Sequence, residues 1–292
     1  FKEMPMTCHT IVLSRIAALL LWGVQIAINA TTVWGDESQK QASKSAEVKK
    51  LILPGESFLV RDRPAFILWP KEDLQTTPQP WVFYAPTLEG YPDQHEKWMH
   101  EQFLNAGVAV AGIDVGEGYG SPASRKLFDA FYEHCVTEKH LSTTPCLLGR
   151  SRGGLWVSSW ACDHPERFSG LVGIYPVFDF RTYPGIDKAA PSYGLSKEEL
   201  SQRNEELNPI SRSEAIARAR LPVFIIHGDE DVVVPLKENS QTLAEIYQKA
   251  GVETSISLVV VKGQGHNFWE GFFRCQELVD FVILHAKEGR TP

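Results

Sequence analysis

From about residue 51 the chain alternates short, β-rich apolar runs with longer stretches of helical periodicity, and this alternation restricts the fold more than any other feature. The runs are Phe66–Trp69, Trp81–Ala85, Val108–Ile113, Pro145–Leu148, Leu171–Tyr175, Pro222–Ile226 and Ile256–Val261. Val108–Ile113 has no polar alternation, the pattern of a strand covered on both faces. Helical patterns lie between the runs, at Glu96–Asn105, Ala123–Val136, Leu155–Cys162, Leu236–Lys249 and Phe272–Ala286. Strands alternating with amphipathic helices predict an α/β fold, with a mostly parallel central sheet and helices on both faces. Ligands bind such sheets at the carboxyl ends of the strands, so the chemistry is expected just after each run. Residues 179–220 break the rhythm with Pro184, Gly185, Pro191 and a charged helical patch over Ser196–Leu207. They read as a small cap inserted between two strands.

The amino-terminal segment belongs to a different class. Lys2 and Arg15 precede the apolar run Ile16–Ile28, and small residues follow around Ala30. That three-part pattern predicts a secretory signal peptide over residues 1–30. The run is short for a membrane span and contains Gln25. Residues 31–50 are polar and read as a linker, which leaves 51–292 as one domain. The mature protein is therefore expected to be soluble and either secreted or periplasmic, with no membrane association after cleavage. A net charge of −7 and the lack of a Lys/Arg stripe argue against a nucleic-acid partner. Cys8 would leave with the signal. Cys135, Cys146, Cys162 and Cys275 are too dispersed for a metal framework or a disulfide-stapled fold; they read as small buried side chains, with a single disulfide among them after export as the alternative.

The sharpest motif is Gly149-Arg150-Ser151-Arg152-Gly153, a G-x-S-x-G between a predicted strand and a predicted helix. In that setting the serine sits on a tight turn whose glycines let strand and helix approach, and the helix N-terminus faces a developing anion. A serine hydroxyl needs a base. His266, in Gly263-Gln-Gly-His-Asn-Phe268, follows the last run and is the best placed of nine histidines. His134, His140, His164 and His285 lie in or beside helical patterns and read as structural. The base needs a carboxylate to hold its tautomer. His227-Gly-Asp229-Glu-Asp231 follows the Pro222–Ile226 run, and Asp231 is the choice because the apolar Val232–Val234 anchors its loop. Asp229 is the alternative, although an Asp just past a strand more often braces its own turn. A metal site built from His227, Asp229 and Asp231 lacks a further histidine or cysteine nearby, so no metal or other cofactor is expected.

With Ser151, Asp231 and His266 in that chain order, each after a strand, residues 55–287 resemble an α/β-hydrolase. The loop Asp114-Val-Gly-Glu-Gly-Tyr-Gly-Ser121, together with His227-Gly-x-x-Asp231 and Gly265-His266, resembles prolyl-oligopeptidase-like catalytic domains. That pattern favours Asp231 over Asp229. The resemblance implies a serine hydrolase whose oxyanion is held by the backbone N–H of Arg152 and by a second donor after the Trp81–Ala85 strand. Tyr84-Ala-Pro-Thr87-Leu88 replaces the His-Gly-Gly run of lipases there, leaving Thr87 and Leu88 as candidates. Arg150 and Arg152 would either draw an acidic substrate such as a uronate ester or, as arginines near carboxylates usually do, pair with groups such as Glu117 or Asp163. Phe268 and Trp269 are candidates for stacking on a sugar or aromatic acyl group. The expected substrate is a carboxylic ester of a small molecule or glycan. The competing readings are a peptidase of the prolyl-oligopeptidase type and a non-catalytic binding protein on the same scaffold.

Overall fold

The computed structural model describes residues 48–289. The expected signal peptide, nearly all of the expected linker and Cys8 lie outside the described residues. Val48 and Lys49, at the end of the expected linker, belong to the folded domain. Lys49 is buried, with Nζ 2.8 Å from the Asp114 carboxylate and 2.8 Å from the Leu88 carbonyl oxygen.

The strands are β1 Gly55–Val60, β2 Arg63–Leu68, β3 Trp81–Ala85, β4 Ala109–Ile113, β5 Cys146–Arg150, β6 Gly170–Ile174, β7 Val223–Gly228 and β8 Ile256–Val261. They form one sheet in the order β1-β2-β4-β3-β5-β6-β7-β8. β1–β2 and β2–β4 pair antiparallel, and every pairing from β4 to β8 is parallel. β1 has no counterpart among the apolar runs of the sequence. It is an edge strand joined to β2 by a two-residue turn at Arg61 and Asp62, whose φ values of 51° and 59° match a twisted hairpin.

The long helices are α1 Lys97–Asn105, α2 Pro122–Thr137 and α3 Gly153–Asp163. Between β6 and β7 come α4 Ile186–Tyr193, α5 Lys197–Gln202, α6 Asn204–Leu207, α7 Pro209–Arg212 and α8 Glu214–Arg218. Then follow α9 Thr242–Lys249, α10 Glu270–Phe273 and α11 Gln276–Glu288. Strand alternation divides the core into two layers. Trp81 and Phe83 face Phe128 and Phe131 of α2 and Trp160 of α3, with ring centroids 5.0–6.3 Å apart. Val82 and Tyr84 point the other way, onto Met99 and Phe103 of α1 and Val279 and Val282 of α11. Truncating one of these buried aromatic rings to alanine costs about 3–5 kcal/mol.

The insertion expected over 179–220 is helical. It opens α5 with a reciprocal cap between Ser196 and Glu199, and its buried face joins the α2–α3 layer. Ser192 and Tyr193 donate hydrogen bonds to the carbonyl oxygens of Glu117 and Tyr119, tying α4 to the loop after β4. Among the described residues no helix is long and apolar enough to cross a membrane. The four cysteines there are unpaired; Cys135, Cys146 and Cys162 are buried, and Cys275 is half-buried.

Candidate active site

β5 ends at Arg150, and the chain reverses at Ser151, whose φ of 51° lies in the left-handed region that non-glycine residues rarely occupy. Three hydrogen bonds hold that strained turn. The Ser151 N–H donates to Ile174 O at 3.0 Å, and its carbonyl accepts from Gly154 N and Val177 N at 2.9 Å each. Both neighbouring glycines of the motif are close approaches. A Cβ at Gly153 would strike the Ala85 carbonyl oxygen, and one at Gly149 would come within 2.8 Å of Val157 Cγ2. The elbow therefore presents Ser151 at the carboxyl edge of the sheet, over the N-terminus of α3.

His266 enters from the loop after β8. Its Nε2 lies 2.9 Å from Ser151 Oγ, and its Nδ1 lies 2.8 Å from Asp231 Oδ2. Asp231 is buried on the loop after β7, and its other oxygen accepts from the N–H groups of Val233 and Val234 at 3.0 and 2.8 Å. Burial alone would raise the Asp231 pKa. Hydrogen bonds from His227, His266 and Val234 N–H outweigh it and hold the carboxyl well below the usual range, so it is ionised at any working pH. An ionised Asp231 keeps the proton of His266 on Nδ1 and leaves the Nε2 lone pair for the serine hydroxyl. The arrangement can move a proton from Ser151 to His266 and stabilise the imidazolium that results.

Asp229 plays a separate part. It accepts the Gly263 N–H at 2.7 Å while its own N–H donates to Val261 O, and Glu230 N–H donates to Gln264 O at 3.0 Å. These bonds lace the loop carrying the acid to the loop carrying the base. Behind the acid lies His227, fully buried, with Nε2 2.9 Å from Val234 O and 3.3 Å from Asp231 Oδ2, and Nδ1 2.7 Å from Ser240 Oγ. Among the described residues no group of three or more His, Cys, Asp or Glu side chains is arranged to hold a metal ion.

A cavity of about 170 Å³ opens over Ser151, walled by Pro86, Tyr91, Arg150, Arg152, Tyr175, His266, Asn267 and Phe268. The Arg152 N–H makes no hydrogen bond among the described residues. Thr87 and Leu88 stand outside this lining. Thr87 is buried with its hydroxyl on the Ile113 carbonyl oxygen, and the wall on that side is Pro86, which has no N–H. Arg152 pairs with Glu117, whereas Asp163 is taken by Arg125 and Arg212. Arg150 is 4% exposed and fully engaged: Nη1 is 2.8 Å from Glu96 Oε1, Nη1 and Nη2 are 3.2 Å from Asp93 Oδ2, and Tyr91 stacks on the guanidinium at 4.7 Å. Desolvation lifts the Glu96 pKa to about 7 despite that arginine, and the Tyr84 hydroxyl donates to the same carboxylate. Phe268 lines the cavity, but Trp269 turns edge-on to Phe272 at 5.3 Å and does not.

Sequence reasoning missed Tyr175, Tyr91 and Glu96. Tyr175 directly follows β6, with φ 35° and its ring 4.4 Å from that of His266, so the strand-end rule was a usable signal for it. Tyr91 and Glu96 reach the site from the loop and helix start after β3, which carry no motif.

The sheet order, the strained serine between β5 and α3, and the strand-end placement of Asp231 and His266 define an α/β-hydrolase. The profile of the prolyl oligopeptidase family matches residues 129–283, more than half of the chain, and the chain belongs to that family. No curated relative matches the sequence. Among solved structures, Est1E from Butyrivibrio proteoclasticus is similar at TM-score 0.60 and 17% identity, covering 80% of this chain and 99% of that one. A puromycin-hydrolyzing peptidase from Mycobacterium tuberculosis gives TM-score 0.60 at 15% identity, over 82% of this chain and 40% of that one. Dipeptidyl peptidase 4 from Porphyromonas gingivalis gives TM-score 0.60 at 16% identity, over 80% and 36%. The chain thus spans well under half the length of these two peptidases.

Proposed function

We propose that the chain is a serine hydrolase of carboxylic esters. Ser151 Oγ attacks the ester carbonyl as its proton passes to His266 Nε2. The Arg152 N–H, at the start of α3, holds the oxyanion. The C–O bond then breaks, His266 returns the proton to the leaving alcohol, and a water activated by the same imidazole releases the acid from Ser151. The observation that carries this reading is the continuous chain of short contacts from Ser151 Oγ to His266 at 2.9 Å and from His266 to Asp231 at 2.8 Å.

A peptidase is the second reading, favoured by the family match and the peptidase neighbours. The ester reading ranks above it because the carboxylates beside the cavity, Asp93 and Glu96, are consumed by Arg150 and so do not offer a peptide amine a partner. Export from the cytoplasm rests on the three-part pattern of Lys2 and Arg15, the apolar run over 16–28 and the small residues around Ala30.

The test uses a fluorophosphonate probe together with p-nitrophenyl esters and peptidyl p-nitroanilides. The wild-type protein is expected to take the label and turn over short esters, and Ser151→Ala to do neither. Equal labelling of Ser151→Ala would favour a binding protein, and amide turnover matching ester turnover would favour the peptidase.

A further inference from the structure

Phe268 is a wall shared by two cavities. On one side lies the 170 Å³ pocket over Ser151, and on the other a cavity of about 430 Å³ between α1 and the loop through α10. A site for a drug-sized ligand spans roughly 300–1,000 Å³. The pocket over Ser151 is below that range and suits a small acyl group. The neighbouring cavity falls within it and has room for the remainder of a substrate.

We propose that this second cavity is a subsite for an uncharged, hydroxyl-rich ring, a sugar unit of an esterified oligosaccharide. The proposal rests on the ester-hydrolase reading and deepens it by naming the alcohol. Trp98 and Phe268 supply the apolar surface. Phe268 is 57% exposed yet fixed in place, stacked on His95 at 4.2 Å with an 18° interplanar angle. An immobilised, half-open ring beside a nucleophile is a platform for the C–H face of a pyranose.

The polar lining decides what kind of ligand fits. Lys97 Nζ is 3.2 Å from Glu101, and Arg274 Nε is 2.7 Å from Glu270. Each charge in the cavity is therefore met by its opposite. An anionic uronate or a cationic amine meets no net opposite charge there, because each cation already has a carboxylate beside it. Sugar hydroxyls accept from the cations and donate to the carboxylates while both pairs persist. An aliphatic alcohol would cover Trp98 and Phe268 but make none of the hydrogen bonds offered by the two pairs and by the Gln94 amide, which also lines the cavity.

The test separates binding from turnover. Saturation-transfer NMR on Ser151→Ala, with xylotriose and cellotriose as probes, is expected to show transfer to ring protons. Apparent affinity is expected to fall at least tenfold in Ser151→Ala/Trp98→Ala, to recover with Trp98→Phe, and to drop several-fold with the exposed change Gln94→Ala. In the active enzyme, the ratio of kcat/KM for acetylated xylotriose to that for p-nitrophenyl acetate is expected to fall at least tenfold in Trp98→Ala. No transfer to either saccharide, or an equal loss on both esters, overturns the proposal. Saccharide transfer that depends on Trp98, in a protein that hydrolyses no ester, supports the subsite and defeats the esterase reading instead.

Discussion

Arg150→Met removes the positive charge beneath Ser151 while keeping most of the volume of the side-chain stem. Glu96, fully buried, is left with the Tyr84 hydroxyl and the Asp93 N–H at 2.8 Å as its partners. Removing one member of a buried ion pair costs about 3–5 kcal/mol. In a domain of this size each kcal/mol lowers Tm by about 2–4 °C, which gives a fall of roughly 6–20 °C. The loss depends on pH in a direction fixed by Glu96. Its folded pKa of about 7 lies above the ordinary 4.5, so in that interval the folded chain holds a proton that the unfolded chain releases. The contribution of Glu96 is therefore fully present below its unfolded pKa and is lost as pH rises through the folded value. Without Arg150 the folded pKa climbs further, at about 1.4 kcal/mol per pKa unit. The penalty of the substitution should then be smallest near pH 5, where Glu96 is protonated in both proteins, and should grow toward pH 8 by up to about 1.4 kcal/mol, the free energy of ionising Glu96 one pH unit above a pKa of about 7. Urea unfolding followed by tryptophan fluorescence at both pH values measures it, with Arg150→Met/Glu96→Gln as the control expected to lose the pH dependence. A penalty equal at pH 5 and pH 8, or a double variant as pH-sensitive as the single one, refutes the reasoning.

Asp231→Asn is expected to lower kcat by about 10⁴, because an amide that donates to Nδ1 holds the imidazole in the wrong tautomer; steady-state kinetics on p-nitrophenyl acetate, with circular dichroism to verify folding, checks it. Gly153→Ala drives a methyl group into the Ala85 carbonyl oxygen and is expected to destabilise the domain by about 1–3 kcal/mol, read as a fall in Tm.

The parallel sheet was legible because its strands are buried on both faces and so appear as unbroken apolar runs, as at Ala109–Ile113. Ser151, His266 and Asp231 were legible for a related reason: each follows such a run, and the topology brings strand ends to one edge. β1 was hidden by its edge position. Its apolar residues are only the three of Phe58-Leu-Val60, preceded by Gly55-Glu-Ser57, and the Arg61-Asp62 turn lacks the Asn-Gly chemistry that marks hairpins. The π-helical turn Lys237–Gln241, which precedes α9, was likewise merged with it into a single helical pattern. The partners of Arg150 lay beyond reach for a different reason. Local sequence suggested Glu117 and Asp163 for the two arginines, and Arg152 does take Glu117. Arg150 instead closes on Asp93 and Glu96, more than fifty residues upstream, a pairing that only the folded β3–α1 connection creates.

The lacing of the β7 and β8 loops through Asp229, Glu230 and Gln264 has a mechanical consequence. Imidazole and carboxylate sit on two loops joined to each other, and the carboxylate is also backed by His227 of β7, while the serine is held to the sheet by its own backbone bonds. A displacement of one loop is thus passed to the other, so cutting the lacing is expected to disturb the alignment of acid with base as well as the reach to the hydroxyl.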